Sequence, residues 1–169
     1  MKYPQITFRY FMFIVFISIG FYACSKDALQ SENNSVTSTA AQVEFTRNFE
    51  LEDQFLLIMN EYLSSNGFNQ LERISEADLV AIIHTQNMME VNTLHHTNFS
   101  ERQNYFFNLG YIALRENVAM GYSNPETLLN AWLQSPSHKS AIESNSNKTG
   151  LSILINNTGK HFITQLYLK

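Results

Sequence analysis

The chain has a single cysteine, Cys24, among its 169 residues, so no disulfide can form within it. A small secreted domain held together by several disulfides is therefore excluded. The fold must depend on a hydrophobic core instead. The chain is long enough to bury such a core without covalent crosslinks.

Basic residues are also scarce. Eleven Lys and Arg stand against fifteen Asp and Glu, which gives a net charge of −4 at pH 7. No stretch rich in Lys or Arg marks a phosphate-binding face, so we expect no nucleic-acid partner. Charged residues make up 15% of the chain and hydrophobic residues 44%, a composition typical of a globular domain.

The longest apolar run is Tyr10–Ala23, and it follows the positive residues Lys2 and Arg9. At about 14 residues it is short for a membrane-spanning helix and has the length of a signal-peptide core. Its end, Ala23-Cys24, resembles a bacterial lipoprotein signal. We therefore predict a signal peptide over residues 1–23 and lipidation of Cys24. An uncleaved anchor and an unmodified secreted protein are the alternatives.

This prediction makes the membrane a partner through lipidated Cys24, and it places the protein on the cell envelope, at the outer membrane or cell surface. The following stretch, Ser25–Gln42, is polar and lacks periodic apolar residues, which is typical of a flexible spacer. We predict a tether over residues 24–45 and one globular domain over residues 46–169. Without the leader, 9 basic residues face 15 acidic ones, for a net charge of −6.

Two helices are predicted in the first half of the domain. The first has an inward stripe and ends at Asn66-Gly67; the stripe consists of Phe55, Ile58, Met59 and Tyr62. The second begins with the capping box Ser75-Glu76-Ala77-Asp78. Its predicted inward residues are Leu79, Ile82, Ile83 and Met89. His84 lies beside this apolar face, and we expect it to be packed or half-exposed.

Three further helices are predicted. A short one over Glu101–Leu109 ends at Gly110, and Asn124-Pro125-Glu126 begins the next as cap, first-turn proline and dipole-stabilising acid. Its core residues are Leu128, Leu129, Trp132 and Leu133. Ser135-Pro136 ends that helix and begins another, with Ser135 as its cap. His138 then falls in the first turn of the last helix, where the dipole favours the neutral imidazole.

The C-terminus predicts a β-hairpin with strands at Leu151–Ile155 and Phe162–Leu168 around a loop that contains Gly159. Leu154 and Ile163 break the simple alternation, so both faces of the sheet are partly apolar. A sheet of this kind is covered by helices on both sides. The sequence therefore predicts an α+β fold.

Several segments of the domain resemble those of the CAP superfamily, which comprises cysteine-rich secretory proteins, antigen 5 and pathogenesis-related 1 proteins and is also called the SCP domain. The segments occur in the order found in the family and cover nearly the whole domain. The matching segments are LLIMNEYLSSNGFNQL, HTQNMMEVNTLHHTNFSER, RENVA, NAWLQSPSHK, KTGLSI and ITQLYLK. The resemblance is to the bacterial lipoprotein branch. It implies a three-layer α-β-α sandwich with a small antiparallel sheet between helices, and a cleft lined by two histidines and two acids.

By the family motifs, His96 is the first cleft histidine, Glu116 the first acid and His138 the second histidine. His95 competes with His96, but the His-x-x-Phe step before the Ser-Glu-Arg run favours His96. No carboxylate is present near Ser135, where the second acid falls. The cleft set is therefore incomplete, and His96, Glu116 and His138 are catalytic candidates only.

The resemblance leaves several roles open for these three residues. His96 and His138 are candidate ligands of Zn²⁺, with Glu116 either a third ligand or a partner that orients a histidine. The same residues are also consistent with a buried polar network that binds no ion. A Ser135-His138-Glu116 hydrolase can be assembled, but Ser135 precedes a proline and no nucleophile-elbow motif is present.

Three functions follow as expectations. The favoured one is a membrane-tethered binding module, expected to be a monomer, that takes a small hydrophobic or lipid-like ligand or a partner protein. The second is a metal-dependent hydrolase that acts on peptide or envelope material. The third is an envelope interaction protein with a vestigial site.

Overall fold

The computed structural model describes residues 44–169. The predicted signal peptide, Cys24 and nearly all of the predicted tether lie outside these residues. Within them, a five-stranded sheet lies between helices on both faces, so the predicted α+β three-layer sandwich is confirmed. No helix in this part of the chain is long and apolar enough to cross a membrane.

The elements alternate along the chain. The strands are β1 (Phe45–Arg47), β2 (Glu72–Arg73), β3 (Leu114–Met120), β4 (Lys148–Asn156) and β5 (His161–Leu168). The helices are α1 (Phe49–Ser65), α2 (Ser75–Glu90), α3 (Phe99–Asn108), α4 (Pro125–Gln134) and α5 (Pro136–Ile142). The strand order is β1-β4-β5-β3 with antiparallel pairing, and the short β2 pairs in parallel with the start of β4. Strand β3 is therefore one edge of the sheet, and β1 and β2 form the other edge at opposite ends of β4.

The hairpin of β4 and β5 forms the centre of the sheet. Its register runs from Lys148 opposite Leu168 to Ile155 opposite His161, so the predicted hairpin is confirmed, with β4 starting three residues earlier than expected. In the turn, Asn156 Oδ1 accepts hydrogen bonds from the backbone N–H groups at 158 and 160, at 3.1 and 2.9 Å.

Each face of the hairpin contributes to a separate core. Ile153 and Ile163 pack on one side with α1, α4 and α5. Leu154 and Phe162 pack on the other side against the end of α2. Strand β3, which the sequence pattern did not reveal, adds Ala119 to the first core and Val118 to the second.

Helix α1 carries a charged residue inside its apolar stripe. Glu52 is fully buried, between Leu51 and Phe55 on the inner face. Its carboxylate accepts bonds from Arg47 Nε at 2.9 Å and Arg73 Nη2, and from the backbone N–H of Ile153 at 2.9 Å. These contacts tie α1 to strands β1, β2 and β4.

Helix α2 departs from the prediction at its start. The helix begins at Ser75 as expected, but Ile74 is the cap residue and no side chain caps the helix. The acid of the predicted capping box, Asp78, instead accepts bonds from Arg47 Nη2 at 3.1 Å and Arg73 Nε at 2.8 Å. Because Asp78 binds these two arginines, it does not cap the helix.

The predicted inner face of α2 was also partly wrong. Leu79 and Ile83 are 59% and 51% exposed, while Met89 is buried as predicted. Small residues face the sheet because the helix approaches β4 closely at Gly150: a Cβ added at Gly150 would lie 2.1 Å from the backbone carbonyl carbon of Ala77. The residues buried on this face are Ala77, Ala81, His84, Thr85, Met88 and Met89.

Helices α4 and α5 follow the predicted punctuation. Asn124 Oδ1 accepts the N–H of Thr127 at 2.9 Å, and Trp132 is buried. Ser135 lies between the two helices as predicted, but its hydroxyl makes no cap bond to α5 and lies 3.2 Å from Ser137 Oγ. His138 falls in the first turn of α5, as expected.

Candidate functional site

The candidate residues come from three different elements around the edge strand β3. His96 lies in the loop between α2 and α3, Glu116 lies on β3, and His138 lies on α5. Side chains alternate along a strand. Accordingly, Glu116 faces α2 and α3, while its neighbour Asn117 faces α5. Glu116 therefore points to the layer of α2 and α3, whereas His138 belongs to a helix on the other side of β3. Because β3 is an edge strand, His138 and His96 are still close enough for their charges to interact.

The carboxylate of Glu116 is almost completely enclosed, with its side chain 1% exposed. Arg102 grips it in a bidentate manner: Nε donates to Oε2 and Nη2 donates to Oε1, both at 2.8 Å. His96 Nδ1 lies 2.8 Å from Oε1. Both oxygens thus accept hydrogen bonds. Those from the Arg102 guanidinium are charge-assisted, which is the strongest class of side-chain hydrogen bond.

His96 is held by this carboxylate while its side chain stays 53% exposed. Since Glu116 accepts, Nδ1 of the imidazole must carry the proton that is shared with Oε1. In the neutral ring the unprotonated nitrogen is then Nε2. A carboxylate partner fixes the tautomer in the same way for many metal-binding and catalytic histidines.

His84 lies beneath the same carboxylate and is buried. Its Nε2 lies 3.0 Å from the backbone oxygen of His95 and 3.5 Å from Glu116 Oε1. Both neighbours are acceptors, so Nε2 carries the proton. Nδ1 has no hydrogen-bond partner among residues 44–169. Burial lowers the pKa of His84 to about 4, and the nearby Arg102 adds to this effect against the attraction of Glu116.

The two adjacent histidines, His95 and His96, face different partners. The His95 ring packs edge-on against the His84 ring, with centroids 5.2 Å apart, and its Nδ1 accepts the N–H of Thr97 at 3.3 Å. His96 contacts Glu116. The geometry therefore favours His96 over His95 as the cleft histidine.

His138 is half-buried, with its ring centroid 6.0 Å from that of Trp132. Its backbone oxygen accepts a bond from Asn117 Nδ2 at 3.1 Å, and Asn117 also donates to the Tyr167 hydroxyl at 3.1 Å. Burial lowers the pKa of His138, and the charge on nearby His96 lowers it further. A neutral His138 agrees with the expectation from the sequence.

These residues do not fit a resident zinc ion. Structural zinc sites use four protein ligands and catalytic sites use three, yet residues 44–169 contain no group of three His, Cys, Asp or Glu arranged to hold a metal. The Glu116 carboxylate is already engaged by Arg102 and His96. Its position is that of a partner that orients His96.

The residues considered for a hydrolase are not linked as a catalytic triad. Glu116 pairs with His96 and Arg102, and no hydrogen bond joins it to His138 among residues 44–169. The Ser135 hydroxyl is directed to Ser137. In the described part of the chain, no hydrogen-bonded path joins the serine, the histidine and the acid.

The sequence reasoning missed three residues that build the site: His84, Arg102 and Asn117. Arg102 was visible in the Ser-Glu-Arg run, where it served only to align His96. Asn117 was visible as the neighbour of Glu116, and strand alternation would have placed it on the opposite face. His84 was expected to be packed, which is correct, but nothing in its spacing pointed to Glu116.

The fold and the site define a three-layer α-β-α sandwich with a polar His–Glu pair at an edge strand. The family described as CAP, the cysteine-rich secretory protein family, matches residues 56–167. This match spans well over half of the chain. The chain therefore belongs to the cysteine-rich secretory protein family.

Solved structures share the fold. An outer surface protein from Borrelia burgdorferi has a TM-score of 0.68 and 24% identity, over 75% of this chain and 98% of that one. A cysteine-rich secretory protein from Staphylococcus aureus has a TM-score of 0.60 and 16% identity, over 72% and 38%. An extracellular protein with an SCP domain from Bacillus anthracis has a TM-score of 0.59 and 22% identity, over 69% and 39%. No curated protein matches this chain in sequence.

Proposed function

We propose that this protein is an extracytoplasmic binding module of its family, tethered to the cell envelope through lipidated Cys24. The similar structures include an outer surface protein and an extracellular protein, which supports this location. The apolar run before Cys24 and the polar spacer after it support the tether. The proposed ligand is a small hydrophobic or lipid-like molecule.

One observation carries the choice of binding over catalysis: the Glu116 carboxylate is buried and has no free oxygen. A general base must reach the proton that it removes, directly or through one water. Glu116 is instead held in an ion pair with Arg102, and its hydrogen bond to His96 fixes the position of that ring. The metal-dependent hydrolase, the alternative function, therefore lacks an evident base.

A groove between α2 and α3 supports the apolar nature of the ligand. It has a volume of about 250 Å³, and His84 and Arg102 of the Glu116 cluster are among its lining residues. Its apolar wall consists of Val80, Ile83 and Tyr105, and its polar rim of Asn87, Asn98 and Glu101. The volume lies below the usual range of about 300–1,000 Å³ for drug-sized ligands. A short alkyl chain with a polar head therefore suits it.

Octanoate binding tests this proposal on the mature chain that begins at residue 24, with Cys24→Ser to prevent lipidation. Calorimetry is expected to detect binding that weakens about fivefold or more in Ile83→Asp, because the charge must be desolvated in the groove. Leu57→Asp is the matched control, since Leu57 is similarly exposed but lies on α1, across the sheet. Equal loss in both variants, or hydrolytic turnover that His96→Ala and His138→Ala both abolish, would contradict the proposal.

Weak, exchangeable binding of a divalent ion is the second candidate, because His96 Nε2 is unprotonated and His138 tends to be neutral. Two imidazoles without a third ligand bind zinc weakly. We expect zinc to raise the melting temperature of the mature chain by only a few degrees at millimolar concentration. The increase should disappear in His138→Ala. A shift that His138→Ala and His96→Ala both retain would assign the ion to another place.

A further inference from the structure

A larger cavity, here called the α2–β1 cavity, lies away from the His96 cleft and shares no residue with it. Its volume is about 620 Å³, within the range of small-molecule sites. Its lining residues are Glu44, Phe45, Thr46, Gln86, Met89, Glu90, Ile155, Asn156 and Asn157. They come from edge strand β1, the C-terminal end of α2 and the end of β4.

The charge in this cavity has one sign. Glu44 and Glu90 are both lining residues, and the lining contains no Lys, Arg or His. The nearest turn contributes Lys160, but its Nζ lies 3.1 Å from Asn92 Oδ1 and 5.4 Å from the centre of the Phe162 ring. Its ammonium forms no ion pair with Glu44 or Glu90 among residues 44–169.

The end of α2 adds to the negative potential. The unpaired carbonyls at a helix C-terminus carry roughly half a negative charge, which cations stabilise and acids oppose. Glu90 is the last residue of α2, and the last turn of this helix contains no basic residue. The carbonyls of Asn87, Met88 and Met89, however, accept backbone N–H groups from the residues that follow the helix, and the Lys160 ammonium lies at this end on Asn92. The negative charge available to a ligand here is therefore mainly that of the Glu90 side chain.

The rest of the lining suits an apolar body with polar edges. Phe45, Met89 and Ile155 provide apolar surface, and Met89 is part of the core beneath α2. The amides of Gln86, Asn156 and Asn157 provide donors and acceptors around it. Aromatic Phe45 can also face a cation with its ring.

We propose that the α2–β1 cavity binds an organic cation, an ammonium or guanidinium group carried on an apolar body. The ammonium or guanidinium group lies near Glu44 and Glu90, and the apolar body lies on Phe45, Met89 and Ile155. The cation has two possible sources with the same chemistry: a free small amine, or a Lys or Arg side chain next to an apolar residue in a peptide. This site is separate from the proposed octanoate groove.

The test uses the ¹⁵N-labelled mature chain with Cys24→Ser, titrated with phenethylammonium and followed by NMR. We expect saturable shifts centred on the backbone amides of Gln86, Met89 and Ile155, and weaker binding as salt rises. The neutral isostere 2-phenylethanol should bind at least about threefold more weakly. A second arm uses acetyl-Phe-Lys-amide: binding tighter than that of phenethylammonium assigns the site to a peptide side chain, and weaker binding assigns it to a free amine.

Matched variants separate this site from general acidity. Glu90→Gln and Glu44→Gln should each weaken phenethylammonium binding about threefold or more. Glu76→Gln, an exposed acid in the first turn of the same helix, should leave it unchanged. Equal binding of 2-phenylethanol, an equal loss in Glu76→Gln, or the absence of saturable shifts would overturn the proposal.

Discussion

Replacing Glu52 with Gln is expected to lower the free energy of unfolding by about 3–5 kcal/mol. The Glu52 carboxylate is fully buried between Arg47 and Arg73, whose side chains are themselves mostly buried. The amide removes the charge that both guanidinium groups face. It also offers a donor where two donors already point. The domain then retains two positive charges close together, with Asp78 as the one acid of the cluster that still pairs with both.

Chemical denaturation at neutral pH measures this loss, with Asp53→Asn as the control. Asp53 is the next residue on α1 and also pairs with Arg73, at 3.3 Å, but its side chain is 77% exposed. An exposed ion pair contributes little, so this variant should change stability by less than about 1 kcal/mol. A loss of under about 1 kcal/mol in Glu52→Gln would mean that water or side-chain rearrangement screens the cluster.

Much of the fold follows from local signals in the sequence. Asn124 followed by Pro125 specifies where α4 begins, because the cap and the fixed proline dihedral act within one turn. Asn66-Gly67 ends α1 because Gly67 adopts a positive φ of 78°. The hairpin is similarly local. These features depend on neighbours in the chain, which is why a single sequence reveals them.

The parts that the sequence did not reveal depend on partners that are distant in the chain. The inner face of α2 is set by contact with Gly150, which lies on a strand near the C-terminus. A close approach selects small side chains, so Leu79 and Ile83 lie outside although both are strongly hydrophobic. Glu52 occupies a position of the apolar stripe of α1, a sign that an acid is buried there, but its arginines come from two other elements.

The candidate site also has parts that the sequence indicated and parts that it did not. Motif resemblance identified His96, Glu116 and His138, and the structure brings His96 and Glu116 together. The resemblance did not indicate that Arg102 would saturate the carboxylate, or that His138 would lie on a helix on the other side of β3 from Glu116. Both facts depend on strand orientation and on the position of α3. The contact with Arg102 decides the chemistry, because it makes Glu116 a fixed partner of His96 rather than a free acid–base group.

Acidification is expected to destabilise the domain through His84 in a specific pH window. The pKa of His84 is about 4 in the folded protein because burial disfavours the charged ring, against an ordinary value of 6.5 when unfolded. Above about pH 6.5 the ring is neutral in both states, and it contributes no pH dependence. As the pH falls below 6.5, the unfolded chain binds the proton first, so the free energy of unfolding decreases until the folded ring also protonates near pH 4.

The size of this effect follows from the difference between the two pKa values. At about 1.36 kcal/mol per pH unit it amounts to about 3 kcal/mol at pH 4. His84 Nδ1 explains why the folded state resists protonation: a proton there would be buried without an acceptor among residues 44–169. Carboxylates also titrate near the lower end of this window, so the comparison must be with a variant that lacks only the imidazole.

His84→Gln is that variant, because its side-chain amide can still donate to the His95 backbone oxygen while carrying no titratable group. Urea denaturation of both proteins in EDTA, from about pH 7.5 to 4, should give curves that separate below about pH 6.5. Wild type is expected to lose about 2–3 kcal/mol more than His84→Gln by pH 4. Parallel curves would mean that protonated His84 finds a partner in the fold. In that case the charge of Glu116, 3.5 Å from His84 Nε2, would offset the cost of burying the charged ring.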